Sequence, residues 1–151
     1  MKTVWILPLA FAVAGCPQKV VTADDFRGAY TGSLTETYTC ANTSPPQFVL
    51  PGEELDIAQT GTDVSITINS CAGLTIPGDA SGDMVNISDT GTLSMPCAQT
   101  DGQTDIEITE ITGGTLQLDT GGNLVTTLDE AATIDGDDCM GTATGTLVFQ
   151  P

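Results

Sequence analysis

Histidine is absent from the 151 residues, and basic residues nearly so, with three Lys and Arg against 20 Asp and Glu. Without an imidazole there is no Ser-His-Asp or Cys-His catalytic arrangement, and the commonest transition-metal ligand is missing. A formal net charge of −17 repels phosphate backbones, which excludes nucleic acid as a partner, and it favours a soluble monomer. No glycine-rich loop with its lysine is present to cradle a phosphate. Aromatic residues make up 5% of the chain, and its one Trp is Trp5, so the core has to be built from Val, Ile and Leu. No apolar run approaches the roughly 20 residues that a membrane-spanning helix needs.

What is present begins with the stretch Met1 to Cys16, MKTVWILPLAFAVAGC. Lys2 is its only charge, an apolar run from Val4 to Ala14 follows, and small residues end it, which is the pattern of a secretory signal. Val13-Ala14-Gly15-Cys16 resembles the lipobox of bacterial lipoproteins, with an ordinary signal peptide as the alternative. The resemblance implies that residues 1–15 are removed and that Cys16 becomes the first mature residue. It would carry a diacylglycerol on sulfur and an acyl chain, such as palmitate, on its amine. One acyl chain, at about 0.8 kcal/mol per buried CH₂, gives marginal attachment, whereas two or more give stable anchoring. Pro17 stands where the enterobacterial pattern places an Asp for inner-membrane retention. The expected location is therefore the cell envelope, lipid-anchored to the outer membrane on its periplasmic or surface face.

Removal of residues 1–15 leaves a length suited to one domain. Residues 16–25 are read as the lipidated cysteine and a tether, and 26–151 as a single domain. Lys19 and Arg27 are then the only cations against all 20 acidic residues. Cys40, Cys71, Cys97 and Cys139 form an even set in an exported chain, which points to two disulfides. A Cys₄ zinc site is disfavoured because no Cys-x₂-Cys spacing occurs.

From Phe26 to Phe149 the apolar residues recur at every second position, the period of a strand. Phe26, Tyr30, Leu34 and Tyr38 share one face of the first strand. Leu55 and Ile57 mark a second, from Glu53 to Gln59. Val64, Ile66 and Ile68 mark a third, and Leu74 and Ile76 a fourth. A fifth runs over residues 84–97 with Val85, Ile87, Leu93, Met95 and Cys97 on its inner face and a bulge at Asp89-Thr90-Gly91. Ile106, Ile108, Leu116 and Leu118 mark a sixth, bulged at Gly113-Gly114. Gly121-Gly122-Asn123 is a hairpin turn. A seventh strand starts at Leu124 and runs to a loop at residues 131–138. The eighth, from Cys139 to Phe149, places Gly141, Ala143, Gly145, Leu147 and Phe149 inward.

The expected fold is all-β, an eight-stranded antiparallel up-and-down meander barrel, with a two-sheet β-sandwich as the alternative. Alternating strand directions put all four cysteines at one end. In a closed barrel the first and last strands pair, which favours Cys40 with Cys139 and Cys71 with Cys97; Cys40 with Cys71 and Cys97 with Cys139 is the other pairing. Gly28-Ala29-Tyr30-Thr31-Gly32 and Gln59-Thr60-Gly61 give the domain a resemblance to calycin-type barrels, the lipocalins and avidins. It lacks the lipocalin Gly-x-Trp and the tryptophans that line avidin pockets.

Chemistry-bearing candidates are few. Glu53 with Glu54, and Glu107 with Glu110, are close enough in sequence to suggest carboxylate pairs, but no motif places them and they are read as solvated charges. Asp135, Asp137 and Asp138 are a weak Ca²⁺ candidate that lacks the twelve-residue loop; no other metal and no cofactor is expected. Small residues on the last strand suggest room inside the barrel. The lining would be Tyr30, Leu55, Ile57, Ile66 and Ile68, with Val85, Ile106, Leu116, Gly141 and Ala143 completing it. The expected function is therefore a lipid-anchored envelope protein with a structural or protein-interaction role and no catalysis. Its partners would be the membrane, through the anchor, and an envelope protein. The alternative is a lipocalin-like carrier of a small apolar ligand.

Overall fold

The computed structural model describes residues 24–42, 44–45, 47–100 and 104–151; the leader and Cys16 lie outside them. The strands among them are β1 (Gly28–Cys40), β2 (Phe48–Thr60), β3 (Asp63–Ile68), β4 (Leu74–Ser81), β5 (Met84–Ile87), β6 (Thr92–Thr100), β7 (Asp105–Leu118), β8 (Leu124–Ile134) and β9 (Asp137–Gln150). One 3-10 turn, Asn69–Cys71, joins β3 to β4. Pairing runs β5-β4-β3-β2-β1-β9-β8-β7, and β5 then pairs with β7. The result is a closed eight-stranded antiparallel barrel with β6 as a ninth strand outside the closure.

The alternation in sequence is what closes it. Thr, Val and Ile suit a pleated strand, where a branched Cβ packs against its neighbours. Every second residue is thereby delivered to the interior, and Leu55, Ile66, Ile76, Ile106, Leu116, Leu124 and Leu147 form one continuous buried cluster there. Each such side chain contributes about 1.5–3 kcal/mol by leaving water. Phe26, fully buried, closes the end opposite the cysteines. Its amide donates to Gln59 Oε1 at 2.8 Å, and Gln59 Nε2 donates to the carbonyls of Asp24 and Gly61. At that same end the ladder between the first and last strands begins, with Ala29 opposite Gln150, and it runs to Cys40 opposite Cys139.

Several expected boundaries move, and bulges account for most of the changes. The second strand begins at Phe48, because Gly52, at φ 74°, adds a residue opposite Gly32 and Ser33. Phe48 and Leu50 therefore face inward on the opposite parity from Leu55 and Ile57. β7 carries two bulges, between Ile108 and Glu110 and between Ile111 and Gly113. They turn Ile111 inward, fully buried, while Ile108 and Leu116 keep theirs. The expected loop at 131–138 is a continuation of β8 to Ile134 followed by a tight turn. Asp135 and Gly136 both have positive φ, 52° and 82°, as the hairpin turn that matches strand twist requires.

The fifth strand of the sequence reading is two strands. β4 pairs with β5 only over Gly78–Ser81, and β5 with β7 only over Met84–Ile87. Beyond Gly91 the chain continues as β6 along the same edge of β7, with a wide irregularity between Thr92 and Cys97. Met95, expected inside, is 69% exposed as a result.

All four cysteines lie at one rim. A single cross-strand row runs Cys97, Ile108, Ala132, Cys139, Cys40. The disulfides are Cys40–Cys139, with Cα atoms 4.1 Å apart, and Cys71–Cys97, at 4.8 Å. The second ties the 3-10 turn to β6, where no ladder joins β4 to β6 among the described residues.

The sequence separations of 99 and 26 residues set the entropy that each crosslink removes from the unfolded chain, about 4.7 and about 3.5 kcal/mol. Replacing Cys40 and Cys139 together by Ala is therefore expected to lower unfolding stability by about 1 kcal/mol more than replacing Cys71 and Cys97. Denaturant melts of the two double variants check this; the reverse order would mean that closure at β6 outweighs chain entropy.

Candidate functional site

The most unusual chemistry lies inside the barrel. Among its inward residues are three acids, Glu36, Glu53 and Glu130, exposed by only 1%, 6% and 2%. β1 supplies Glu36 and Tyr38, which share the inward parity of Tyr30 and Leu34. β8 supplies Glu130, in phase with Leu124, Thr126 and Leu128. Tyr38, Gly141 and Glu130 form one row across β1, β9 and β8.

Gly141 makes the contact between the outer two possible. A Cβ there would sit 2.2 Å from Tyr38 Cδ1, so the ring lies directly over the β9 backbone and reaches the strand beyond. Its hydroxyl is 2.8 Å from Glu130 Oε2 and 3.0 Å from Glu36 Oε2. A phenol has one proton to donate. Two hydrogen bonds to two carboxyls therefore require one carboxyl to be protonated and to donate to the phenol oxygen.

The electrostatics point the same way. Burial pushes the Glu130 carboxyl up to about 8, helped by the neighbouring charges of Glu36, Glu53 and Asp129 and opposed by the bond from Tyr38. Burial likewise pushes Glu36 up to about 7, opposed by the Tyr38 bond and helped by Glu53. Burial and the two carboxyls also drive the phenol upward.

Glu53 comes in from β2, opposite Gly32, and its Oε2 accepts a 2.6 Å bond from the Ser70 hydroxyl. Strand alternation sends Glu54 outward, so the two acids do not form a pair. Gln99 of β6 sets its Nε2 3.5 Å from Ser70 Oγ. Its Oε1, like Thr126 Oγ1, is buried with no hydrogen-bond partner among the described residues.

The remaining candidates are placed as follows. Asp137 is buried and accepts from the Asn42 amide and Nδ2, both at 2.8 Å. This bond fastens the chain after β1 to the start of β9. Asp138 points to the opposite face and Asp135 sits exposed in the turn, so the three carboxylates do not converge. Among the described residues no group of three or more His, Cys, Asp or Glu is arranged to hold a metal ion. Glu107 is exposed on the outside of β7.

The ten positions expected to line a cavity all lie on the inner side. Tyr30, Leu55, Ile57, Ile66, Ile68, Val85, Ile106, Leu116 and Ala143 belong to the packed cluster. The space beside Gly141 is taken by Tyr38, and that beside Gly145 by Leu34, whose Cδ2 a Cβ would meet at 2.9 Å.

Glu36 and Glu130 were absent from the expected sites, although their parity was visible. Each stands two residues from an inward neighbour, Leu34 or Leu128. The missing signal was a partner, since nothing in the sequence says that Tyr38 reaches across Gly141.

Because their folded values lie above the ordinary 4.5 of a glutamate, the folded state holds these protons more tightly than the unfolded chain. The stability they contribute is full below about pH 4.5 and is lost as pH rises through about 7 and about 8, amounting to a few kcal/mol. Glu130→Gln is expected to flatten this part of the pH dependence and to be more stable than the parent above pH 8. Denaturant melts from pH 4 to 9 check it; parallel curves for parent and variant would refute the shared-proton arrangement. Comparison of the chain with protein-family models, curated proteins and solved structures returned no match.

Proposed function

We propose that the chain is a lipid-anchored envelope protein with a structural or protein-interaction role and no catalysis. The observation that carries the reading is the pair of disulfides joining all four domain cysteines at one rim. Disulfides form and persist in oxidising compartments, which agrees with export by the leader and leaves Cys16 as the one cysteine without a partner in the domain. An odd thiol in an exported chain needs an explanation, and lipidation at the lipobox provides one.

An interaction role follows from where the chemistry lies. The buried carboxyls are engaged with Tyr38 and Ser70. Work at the envelope then falls to the outer surface, whose acidic strands keep the domain dispersed near a membrane.

Growth of a bacterial host expressing the full chain with radiolabelled palmitate tests this. Label is expected in the membrane fraction of the parent chain and is expected to vanish in Cys16→Ser. Unlabelled parent protein released into the soluble periplasmic fraction would overturn the anchor.

A further inference from the structure

At the cysteine end the barrel wall is not continuous. β3 leaves β2 at Leu55, opposite Ile68, so the β2 edge from Phe48 to Glu54 has no strand beside it on that side among the described residues. β6 pairs with β7 alone. Between these two edges stands the 3-10 turn Asn69–Cys71, which the Cys71–Cys97 disulfide fixes to β6. A cleft of about 280 Å³ remains there, lined by Leu50, Pro51 and Glu53 of β2, Ser70 of the turn, and Ala98 and Gln99 of β6.

The side chains on this cleft are set as acceptors. Ser70 gives its proton to Glu53 Oε2 at 2.6 Å, so its oxygen receives the approach of Gln99 Nε2, 3.5 Å away. With the amide turned that way its Oε1 is the free end, buried and without a hydrogen-bond partner among the described residues. Glu53 is exposed by only 6%. Its carboxylate has room for about four hydrogen bonds and accepts one among the described residues, from Ser70. Buried acceptors left unmet are costly.

No cation of this chain answers them. Of its three Lys and Arg, Arg27 is the one among the described residues, and it lies at the opposite end, paired with Asp25. The field at the cleft is further negative through Glu36 and Glu130, whose carboxyls the Glu53 charge helps to push upward.

We propose that this cleft binds a primary ammonium on a short apolar stem, either a free alkylamine or the end of a lysine side chain. An ammonium brings one charge and three donors, which meet the Glu53 carboxylate and Gln99 Oε1. Its stem lies against Leu50, Pro51 and Ala98, as the methylenes of a lysine do on apolar surface. A calcium ion is a poorer occupant, because it takes about six to eight oxygen ligands and no group of three or more acids is arranged to hold a metal ion among the described residues. A guanidinium fork uses both oxygens of a carboxylate, and Ser70 already holds one.

Amide NMR titration of the purified full chain, at about 0.15 M salt to screen the outer surface, tests the proposal. The probes are n-butylammonium, Nα-acetyl-lysine methylamide and the neutral 1-butanol. The expected result with butylammonium is saturable shifts at Glu53, Ser70 and Gln99, with a dissociation constant on the order of a millimolar for so small a ligand, and no such response to 1-butanol. Binding of the lysine probe as well extends the site to side chains of a partner, and its exclusion assigns the cleft to free amines. Glu53→Gln is expected to weaken binding at least about tenfold and Gln99→Leu several-fold. Glu54→Gln, on the outer face, should bind as the parent does, and the amide spectra show which variants are folded. Gln99→Leu carries the test by itself if Glu53→Gln does not fold. No saturable shift up to about 20 mM butylammonium, an equal response to 1-butanol, or undiminished binding in either folded cleft variant would overturn it.

Discussion

Closure of the barrel rests on a short ladder. Only four residue pairs join β5 to β7, and only four join β4 to β5. Everything toward the cysteine rim on that side depends on how the chain leaves this ladder. After Ile87 the Ser88 amide bonds back to the Pro77 carbonyl at 3.2 Å, and the chain then crosses to the outer part of the β7 edge. β6 thereby pairs with β7 alone, and the Cys71–Cys97 disulfide supplies covalently the tie that a hydrogen-bonded ladder supplies elsewhere. The two bulges of β7 are the counterpart of this split edge. They bend the strand so that its first part serves β6 and its last part serves β5, while β8 follows it along its whole length.

The same alternation that builds the apolar core also brings acids into it. A buried carboxylate would cost several kcal/mol if left charged and unpaired, so it is either paired or neutralised. Here one phenol serves two carboxyls, and a retained proton balances the account. Glycine is the enabling residue on the strand between them. At Gly145, too, there is no room for a side chain, because an added Cβ would stand 2.3 Å from the Ser33 carbonyl oxygen. The small residues of β9 thus let β1 and β8 approach one another over a thin strand, which explains how a chain poor in aromatic residues fills its barrel.

Much of this was legible in the sequence because strand parity is a local signal. The period of two located the strands, and the placement of four cysteines at one end followed from counting strand directions. What parity could not give were the positions where it breaks. Gly52 and the pair of bulges around Ile111 each change the count by one, and a glycine in a strand does not announce whether it bulges or merely lies flat. Asp135-Gly136 was a legible hairpin signal, but it lay inside the stretch 131–138 expected to be a loop. Glu36 and Glu130 show a different limit: their direction was written in the pattern, whereas their partner, Tyr38, lies 92 residues from Glu130 in the chain. Equally hidden was the neighbourhood of β1, β9 and β8, whose adjacency comes from closure.

That adjacency has an architectural consequence. Since Ala29 and Gln150 stand side by side, the chain enters and leaves the barrel at one end, and the cysteine rim is the opposite end. The Cys40–Cys139 bridge and the Asp137–Asn42 clasp thus sit a full strand length away from the place where the described chain enters and leaves.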